Sequence, residues 1–480
     1  MIMVIPMKVN TLFKRVGLNP VHYNHDIYKL TTDSRLCTDN TIFVVIDGNK
    51  EDGHKYIKSA IDNGAKTIIT TSCEKEYPYV NYVFVDNVRK TLAKLAKEFY
   101  ENISKKIKLI GVIGTNGKTT TSTIAYNFFN YLNKDAMLIG SNGVFFNNYE
   151  ATLNNTTPDI LTIYQFLSLA KKKKIKYVFM EISSIAVDQY RVYGLDFDCL
   201  IFTNFSQDHL DYHKTLDRYL YCKIIPFIKL KKEAYAIINA DDETATKIMK
   251  YADCNFITYG FSRGSNLLGT INYVNADGIS FYARDVLFKS HLLGEFNSYN
   301  ILAVLALCDV FNIPYESYAS FLNIFENVKG RMNKISFKNR NIIIDYAHTF
   351  MATKKVIEEA YRLCKHKLHI VIGCGGNREK EKRGMIGKLL DELDAEVILT
   401  SDNPRFENPK AIIADISAEM AKEVTIIEDR KEAINYALGH LEDDDYLLVL
   451  GKGCEKYMDI KGIKYPYSDL EVINDWISAN

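Results

Sequence analysis

The sequence predicts an α/β protein of three domains. The first observation is the length of 480 residues, at about 100 to 200 residues a domain. The second is that β-branched runs alternate with helical patterns, and the third is that this alternation restarts near residues 105 and 330. We therefore expect a smaller N-terminal α/β domain over 1–104, a central domain over 105–329 and a C-terminal domain over 330–480.

In the first domain, strand-like runs at 41–46, 66–71 and 82–85 alternate with helical patterns at 56–63 and 88–100. Each run is short and rich in β-branched or aromatic residues, which is typical of a strand in a packed sheet. We expect a small sheet covered by helices.

The central domain begins with an apolar strand at 109–113 that enters a glycine loop and then a helix. Gly114 and Gly117 permit a tight turn whose N–H groups point at a polyphosphate, and the helix N-terminus adds positive charge. Lys118 would meet the β- and γ-phosphates, and the Thr119 hydroxyl would bind Mg²⁺. We therefore predict a P-loop ATPase-like domain with a mostly parallel sheet, whose loop residues are Gly114, Thr115, Asn116, Gly117, Lys118, Thr119 and Thr120.

The loop is a shortened variant, since Val112 stands where the general pattern has its first glycine. The alternative is a chance glycine turn with a solvated lysine. This alternative is disfavoured because the strand, the loop and the helix occur in the required order. The helix is expected to bury one face, formed by Ile124, Phe128, Tyr131 and Leu132.

Two further strands of this domain end beside polar residues. The run 177–180 leads to Glu181, and the run 199–202 leads towards Asp208 and His209. Carboxyl ends of parallel strands share one edge with the phosphate loop, so Glu181 and His209 are candidate ligands of Mg²⁺. Each residue also has an ordinary alternative: a capping or paired carboxylate for Glu181, and a core histidine for His209.

After β-like stretches at 256–288, the alternation restarts in the third domain. Apolar runs separated by helical patterns predict a Rossmann-like doubly wound sheet, in which ligands bind beyond the carboxyl ends of the strands. The predicted strands are 341–345, 368–373, 396–400, 424–427 and 446–451.

Composition excludes several classes of protein. Lys plus Arg number 60 against 59 Asp plus Glu, so no overall basic field is present to hold nucleic acid or a membrane surface. No run approaches about 18 apolar residues, so we expect no membrane span. The nine cysteines are scattered without a C-x-x-C pair, and residues 1–7 lack a signal-peptide pattern, so we expect reduced thiols in the cytoplasm.

Taken together, the ordered motifs resemble the Mur ligases over essentially the whole chain, and most closely the members that add the third residue of the peptidoglycan stem peptide. Many separate motifs in one order make the resemblance specific. They are Asp33-Ser34-Arg35, Asp52-Gly53-His54, GTNGKTT (114–120), Asn155-Thr156-Thr157-Pro158, MEISS (180–184), FTNFSQDHLDYH (202–213), Lys223, GEFNSYN (294–300), Gly330-Arg331-Met332, DYAHT (345–349), GCGGNR (373–378), Asp402-Asn403-Pro404-Arg405 and GKGCE (451–455).

The resemblance implies an ATP-dependent amide ligase of peptidoglycan precursor synthesis that uses ATP and Mg²⁺. The acceptor would be UDP-N-acetylmuramoyl-L-alanyl-D-glutamate, activated as an acyl phosphate, and the incoming amine would displace phosphate. The first, second and third domains would bind the UDP substrate, ATP and the amino acid. We expect a monomer.

The family carbamylates a lysine at the position of Lys223, so the resemblance implies a carbamate that binds Mg²⁺ together with Glu181 and His209. Carbamylation needs a neutral amine, which burial can supply by lowering the lysine pKa. The residue pattern alone favours an ordinary surface or salt-bridged lysine. With Lys118, these three residues form the implied catalytic set.

The resemblance also assigns residues to the nucleotide and the acceptor. Asn297 and Asn300 would contact the adenine, while Arg331, Asp345 and His348 would reach the nucleotide from the hinge and the third domain. Thr156 and Thr157 could instead cap the helix that follows Pro158. The implied acceptor-binding residues are Ser34, Asn155, Thr156, Thr157, Ser183, Gln189 and Arg191.

The tetrapeptide at 402–405 resembles the signature of members that add meso-diaminopimelate. Arg405 would grip the distal carboxylate of that amino acid bidentately, whereas it would repel the ammonium of lysine. The alternative for Arg405 is a solvated loop arginine after a proline turn. The other residues implied around the amino acid are Arg378, Asp402, Asn403, Pro404, Gly451 and Glu455.

Five residues depart from the family pattern: Ile185, Asn333, Phe350, Met351 and Cys454. They leave open a paralogue that ligates an amino acid to a different acceptor in specialised metabolism. Two further alternatives are a silent binding subunit, which the intact phosphate and metal residues disfavour, and a plain P-loop kinase or ATPase, in which the 294–300 and 402–405 motifs have no role.

Overall fold

The computed structural model describes residues 7–48 and 52–480, and most of the N-terminal segment examined for a signal pattern lies outside them. Within this part of the chain, three sheets of four, nine and six strands carry the helices. The predicted α/β class with mostly parallel sheets is confirmed. None of the described helices is long and apolar enough to cross a membrane.

The four-stranded N-terminal sheet is parallel throughout. The three predicted strands are present, and the pattern missed one strand and the first helix. The strands in order are Lys29–Thr31, Thr41–Val44, Ala65–Thr70 and Asn81–Phe84. Around them lie helices Val9–Val16, Ile57–Asp62 and Val88–Phe99, 3₁₀ turns Ser34–Leu36, Gly53–Tyr56 and Ile103–Lys106, and the antiparallel pair Met7–Lys8 and Asp26–Ile27.

The nine-stranded central sheet places the phosphate-loop strand, Lys108–Ile113, between the strand that carries Glu181 and Cys199–Phe202. The two edge strands at one side are antiparallel, and the other pairings are parallel. The order is Tyr149–Ala151, Gly143–Phe146, Ala136–Gly140, Tyr177–Ile182, Lys108–Ile113, Cys199–Phe202, Tyr235–Asn239, Asn255–Gly260 and Leu267–Leu268.

The β-like region of the central domain forms an antiparallel sheet of Thr270–Asn275, Gly278–Ala283 and Val286–Ser290. The predicted helix face is partly wrong: Tyr131 is 43% exposed, and Phe129 is buried in its place. The central helices are Lys118–Tyr131, Ile160–Lys172, Ser184–Asp188, Leu210–His213, Leu216–Ile228, Thr244–Tyr251, Phe296–Phe311 and Tyr315–Leu322.

The C-terminal sheet contains the five predicted strands plus Asn333–Phe337, which pairs antiparallel at its edge. Separate apolar clusters on its two faces hold helices, so the sheet is doubly wound. The strand order is Asn333–Phe337, Arg340–Asp345, Tyr446–Leu450, Leu368–Ile372, Glu396–Leu399 and Thr425–Ile426. The helices are Phe350–Leu363, Glu381–Asp391, Pro409–Ser417, Arg430–Gly439 and Asp469–Ala479, with a hairpin of Tyr457–Ile460 and Ile463–Pro466.

Candidate active site

The phosphate loop has the predicted strand, loop and helix in order, and its two glycines are required by close packing. A Cβ on Gly114 would lie 1.8 Å from Thr203 Oγ1, and one on Gly117 would lie 2.4 Å from Asn300 Oδ1. Gly117 also has a φ of +85°, which favours glycine. The helix begins at the next residue, so its N-terminal N–H groups lie at the loop.

Lys118 lies across this loop. Its Nζ donates to the carbonyl oxygens of Gly114 at 2.9 Å and Thr115 at 2.7 Å. Burial lowers the pKa of Lys118, and Glu181 opposes that shift. The ammonium is therefore held by neutral carbonyls at the point where phosphate charge would fit.

Thr119 and Glu181 meet beside the loop, as predicted from the shared strand edge. Thr119 Oγ1 donates to Glu181 Oε2 at 2.9 Å and accepts from Arg331 Nη2 at 3.0 Å. Ser141 completes the Glu181 shell through its N–H at 2.8 Å and its hydroxyl at 3.1 Å. Glu181 is 1% exposed, and in the described residues it forms no ion pair. A buried carboxylate with only neutral donors beside a hydroxyl fits an Mg²⁺ ion.

Lys223 is buried on the helix Leu216–Ile228. Its Nζ lies 4.5 Å from the centroid of the Tyr219 ring, and across residues 7–48 and 52–480 it has no hydrogen bond or ion pair. Burial, reinforced by Lys118, lowers the pKa of Lys223 well below its ordinary value. The alternative of a surface or salt-bridged lysine is therefore wrong. Burial without a counter-ion favours the neutral amine.

His209 lies near Lys118 and Lys223, and its backbone has a left-handed φ of 54°. Its Nε2 lies 3.4 Å from Asp208 Oδ2. Burial lowers the pKa of His209 to about 4, although Asp208 opposes the shift. The ring is therefore neutral near pH 7, which is the form that ligates a metal.

Residues assigned to the nucleotide approach from two directions. Asn297 and Asn300 are buried behind the phosphate-loop helix, where Asn300 Nδ2 donates to Asn297 Oδ1 at 2.8 Å. Arg331 stacks on the Tyr346 ring at 4.6 Å while it donates to the loop. Asp345 is buried and accepts from the N–H groups of residues 332 and 347, both at 2.7 Å.

His348 lies on the opposite wall, where its ring is exposed and its Nδ1 lies 3.0 Å from the Tyr346 carbonyl oxygen. A cleft of about 390 Å³ separates this wall from the segment 206–211, and Arg378 lines it with Asp208 and His209. Arg378 Nη1 lies 3.8 Å from Asp211 Oδ2 across the cleft. The central and C-terminal domains thus face each other across this cleft.

Two of the residues assigned to the acceptor, Gln189 and Arg191, belong to a hydrogen-bonded chain that ends at a carboxylate. Arg191 Nη2 and Nε donate to Gln189 Oε1 at 2.6 and 3.1 Å. Gln189 Nε2 donates to Tyr212 Oη at 3.2 Å, and that hydroxyl donates to Asp188 Oδ2 at 2.9 Å. Because a carboxylate only accepts, Asp188 determines every direction in the chain. Tyr212 and Asp188 had no predicted role.

Other acceptor residues are divided between this chain and more distant positions. Thr157 Oγ1 accepts from the Ser183 N–H at 3.0 Å, and its carbonyl accepts from Arg191 Nη1 at 2.9 Å. Thr156 accepts from Ser141 at 3.0 Å, and Asn155 is exposed. The helix-cap alternative is wrong, because Asp159 caps that helix. Ser34 lies apart, in a 3₁₀ turn of the N-terminal domain.

The amino-acid residues gather where strand Tyr446–Leu450 ends. Asn403 Nδ2 donates to Glu455 Oε2 at 2.8 Å, and Arg405 Nη1 donates to the Gly376 carbonyl at 2.6 Å. A Cβ on Gly451, whose φ is +110°, would lie 2.5 Å from Asp402 Oδ2. The Arg405 side chain is only 26% exposed, so it is not the freely solvated arginine of the alternative.

Beneath this group lies Lys452, a fully buried cation to which the sequence motif assigned no role.

The departures from the family pattern also lie around the sites. Phe350 and Met351 line the cleft, Ile185 is half-buried in helix Ser184–Asp188, and Asn333 begins the antiparallel edge strand. Cys454 Sγ contacts Asn142 Oδ1 at 3.0 Å, across the two domains.

Three family models match the chain in order. They are the Mur ligase family catalytic domain over 26–100, the Mur ligase middle domain over 112–308, and the Mur ligase glutamate ligase domain over 330–453.

Curated relatives extend over nearly the whole chain. Proteins named UDP-N-acetylmuramoyl-L-alanyl-D-glutamate--2,6-diaminopimelate ligase are 36% identical in Phocaeicola vulgatus, over 99% of this chain and 100% of that protein. They are 37% identical in Aquifex aeolicus, over 94% of each, and 36% identical in Oceanobacillus iheyensis, over 95% of each.

Solved structures agree. One of a UDP-N-acetylmuramoyl-L-alanyl-D-glutamate--2,6-diaminopimelate ligase matches with a TM-score of 0.69 at 28% identity, over 98% of this chain and 99% of the other. The MurF ligase of Thermotoga maritima, in complex with ADP, matches with a TM-score of 0.64 at 21% identity, over 94% and 97%, and this likeness shows the fold alone. The chain belongs to the Mur ligase family.

Proposed function

We propose that this protein is an ATP-dependent ligase that joins meso-diaminopimelate to the D-glutamate carboxylate of UDP-N-acetylmuramoyl-L-alanyl-D-glutamate, in peptidoglycan precursor synthesis. The observation that carries the proposal is the meeting of Lys118, Thr119 and Glu181 at the phosphate loop, where Arg331 reaches Thr119 from the hinge. Lys223 is buried close enough for the charge of Lys118 to lower its pKa. Full-length relatives that bear this activity in their names support the same substrates.

In the proposed reaction, the acceptor carboxylate attacks the ATP γ-phosphorus, and ADP leaves. The amine then attacks the acyl phosphate, loses a proton and expels inorganic phosphate through a tetrahedral intermediate. Lys118 would leave its two carbonyl partners for the phosphate oxygens and stabilise their charge as the P–O bond breaks. Arg331, already within reach of Thr119, would hold the nucleotide from the hinge.

The buried oxygen ligands support an Mg²⁺ ion held by Thr119 and Glu181, with His209 and a carbamylated Lys223 as further ligands. When bound, Mg²⁺ neutralises phosphate charge. Carbamylation adds CO₂ to the neutral Lys223 amine with loss of one proton, and it converts an unpaired buried amine into an anion. The lowered pKa of Lys223 and the absence of a counter-ion among the described residues support this modification.

The three domains would divide the substrates. Residues 1–104, with Ser34, would hold the UDP group; residues 105–329 would hold ATP; and residues 330–480 would hold the amino acid. Gln189 and Arg191 would bind the acceptor peptide with Asn155, Thr156, Thr157 and Ser183. Asn297, Asn300, Asp345 and His348 would complete the nucleotide site, and closure of the cleft would protect the acyl phosphate from water.

The amino-acid site would use Arg405 for the distal carboxylate, Glu455 for the ammonium, and Arg378 at the cleft. Asp402, Asn403, Pro404 and Gly451 would shape the pocket. This group gathers three carboxylates and two cations, which supports a substrate whose far end is itself zwitterionic.

The test is ADP release with UDP-N-acetylmuramoyl-L-alanyl-D-glutamate and a panel of amino acids, with the product identified by mass. We expect release only when acceptor and meso-diaminopimelate are both present. Lys118→Ala should abolish turnover in a folded protein, while Lys173→Ala, at an exposed position of the same domain, should not. Release with another acceptor but not with this one would favour the specialised-metabolism alternative and overturn the proposal.

A further inference from the structure

Lys452 is a buried cation whose position is fixed by close packing of the backbone before it. It follows strand Tyr446–Leu450 and Gly451, whose φ of +110° turns the chain where a Cβ would meet Asp402. The Lys452 side chain is 0% exposed, so it cannot touch a bound amino acid directly. A buried ammonium is costly unless its charge is balanced and its donors are used.

The three donors of Lys452 all face side chains of the amino-acid site. Nζ donates to Asn403 Oδ1 at 3.1 Å and to Glu455 Oε2 at 3.2 Å, and it lies 3.6 Å from Asp402 Oδ1. The rings of Tyr457 and Tyr467 lie 5.8 and 5.9 Å from the ammonium and cover its remaining sides.

These contacts determine how Asn403 is oriented. Its Oδ1 accepts from Lys452 and from the Asp459 N–H at 2.8 Å, so its Nδ2 must face Glu455. The Asp459 carbonyl in turn accepts from the Arg405 N–H at 3.0 Å. One buried ammonium therefore connects the segment that carries Arg405 with the carboxylate of Glu455.

Lys452 also determines the charge of the pocket. The group contains the carboxylates Asp402, Glu455 and Asp459 and the cations Arg405 and Lys452, so its formal charge is about −1, and about −2 without the lysine. An extra negative charge favours an amino acid that ends in an ammonium over one that ends in a zwitterion.

We propose that Lys452 is a specificity-determining residue: its buried ammonium offsets Asp402 and Glu455, so that the pocket prefers an amino acid with a zwitterionic far end over one with a cationic far end. This role rests on the proposed function. Lys452 acts through Asn403 and Glu455, so it is a positioning residue and not a catalytic one.

The test compares the kcat/KM ratio for meso-diaminopimelate over L-lysine in Lys452→Met and in Lys456→Met, the same change at an exposed position four residues away. We expect Lys452→Met to lower the ratio by roughly tenfold or more, with the KM for ATP within about twofold, and Lys456→Met to leave it unchanged. A folded Lys452→Met variant with the wild-type ratio would overturn the inference.

Because Lys452→Met removes a buried charge, Lys452→Arg keeps the test decisive if the first variant does not fold. The arginine retains the charge, so we expect the preference to persist within about threefold while the KM for diaminopimelate rises. A folded Lys452→Arg variant that prefers lysine would contradict the role of the charge. Wild-type protein that releases no ADP with diaminopimelate would instead refute the proposed function.

Discussion

Replacement of Arg405 by alanine is the most direct test of the amino-acid site. Arg405 has a φ of 50°, but alanine also carries a Cβ, so the substitution removes the guanidinium without changing the backbone strain. The lost contacts within the protein are one bond to the Gly376 carbonyl and a 3.9 Å approach to Asp459. Any larger effect on substrate use must therefore come from the substrate itself.

The expected magnitude follows from the partial burial of Arg405. Two unit charges 4 Å apart interact by about 4 kcal/mol at an effective dielectric constant of 20. The side chain is 26% exposed, so solvent and the competing Asp459 carboxylate should reduce this to about 2 to 3 kcal/mol. That range corresponds to about a 30- to 150-fold loss in kcat/KM for meso-diaminopimelate.

The assay is ADP release at varied diaminopimelate and at varied ATP. We expect Arg405→Ala to raise the KM for diaminopimelate and to leave the KM for ATP within about twofold. Arg362→Ala is the matched control, because Arg362 pairs with Glu359 on a helix of the same domain and is 45% exposed. A folded Arg405→Ala variant with an unchanged KM for diaminopimelate would refute the assignment.

Three further predictions concern other parts of the molecule. Lys223→Ala should abolish turnover, with partial rescue by a short carboxylate or bicarbonate, while the exposed Lys229→Ala remains active; full activity of Lys223→Ala would exclude the carbamate. Tyr212→Phe frees the Gln189 amide to rotate, so the KM for the acceptor should rise about five- to tenfold. Tyr251→Phe, at an exposed ring, should leave that KM unchanged, and equal KM values for the two variants would rule out the hydrogen-bonded chain. Burial raises the pKa of Asp445, but hydrogen bonds from the Glu442 N–H and two histidines outweigh burial and leave the pKa below its ordinary value. The stabilisation from these bonds is therefore present above about pH 4 and is lost on further acidification. Asp445→Asn should lower the free energy of unfolding in urea by about 1 to 3 kcal/mol at pH 7 and by less at pH 3, and an equal loss at both pH values would contradict this linkage.

Local patterns account for most of the predicted fold. The strand, loop and helix at 108–131 and the five C-terminal strands follow from apolar runs and glycine positions that act within a few residues. The strand Lys29–Thr31 was missed because a three-residue run is too short for its alternation to be recognised. Tyr131 was placed on the buried face because its ring is apolar, although its hydroxyl favours exposure.

The sequence by itself determined the α/β class, the phosphate loop and the motifs that carry the family resemblance, because each depends on neighbouring residues. Only the tertiary structure decided that Lys223 is buried with no counter-ion among residues 7–48 and 52–480, and that Arg331 reaches Thr119, which is 212 residues away. It also decided that Lys452 lies under the amino-acid site. Burial and long-range pairing depend on how distant elements pack, and no local pattern contains that information.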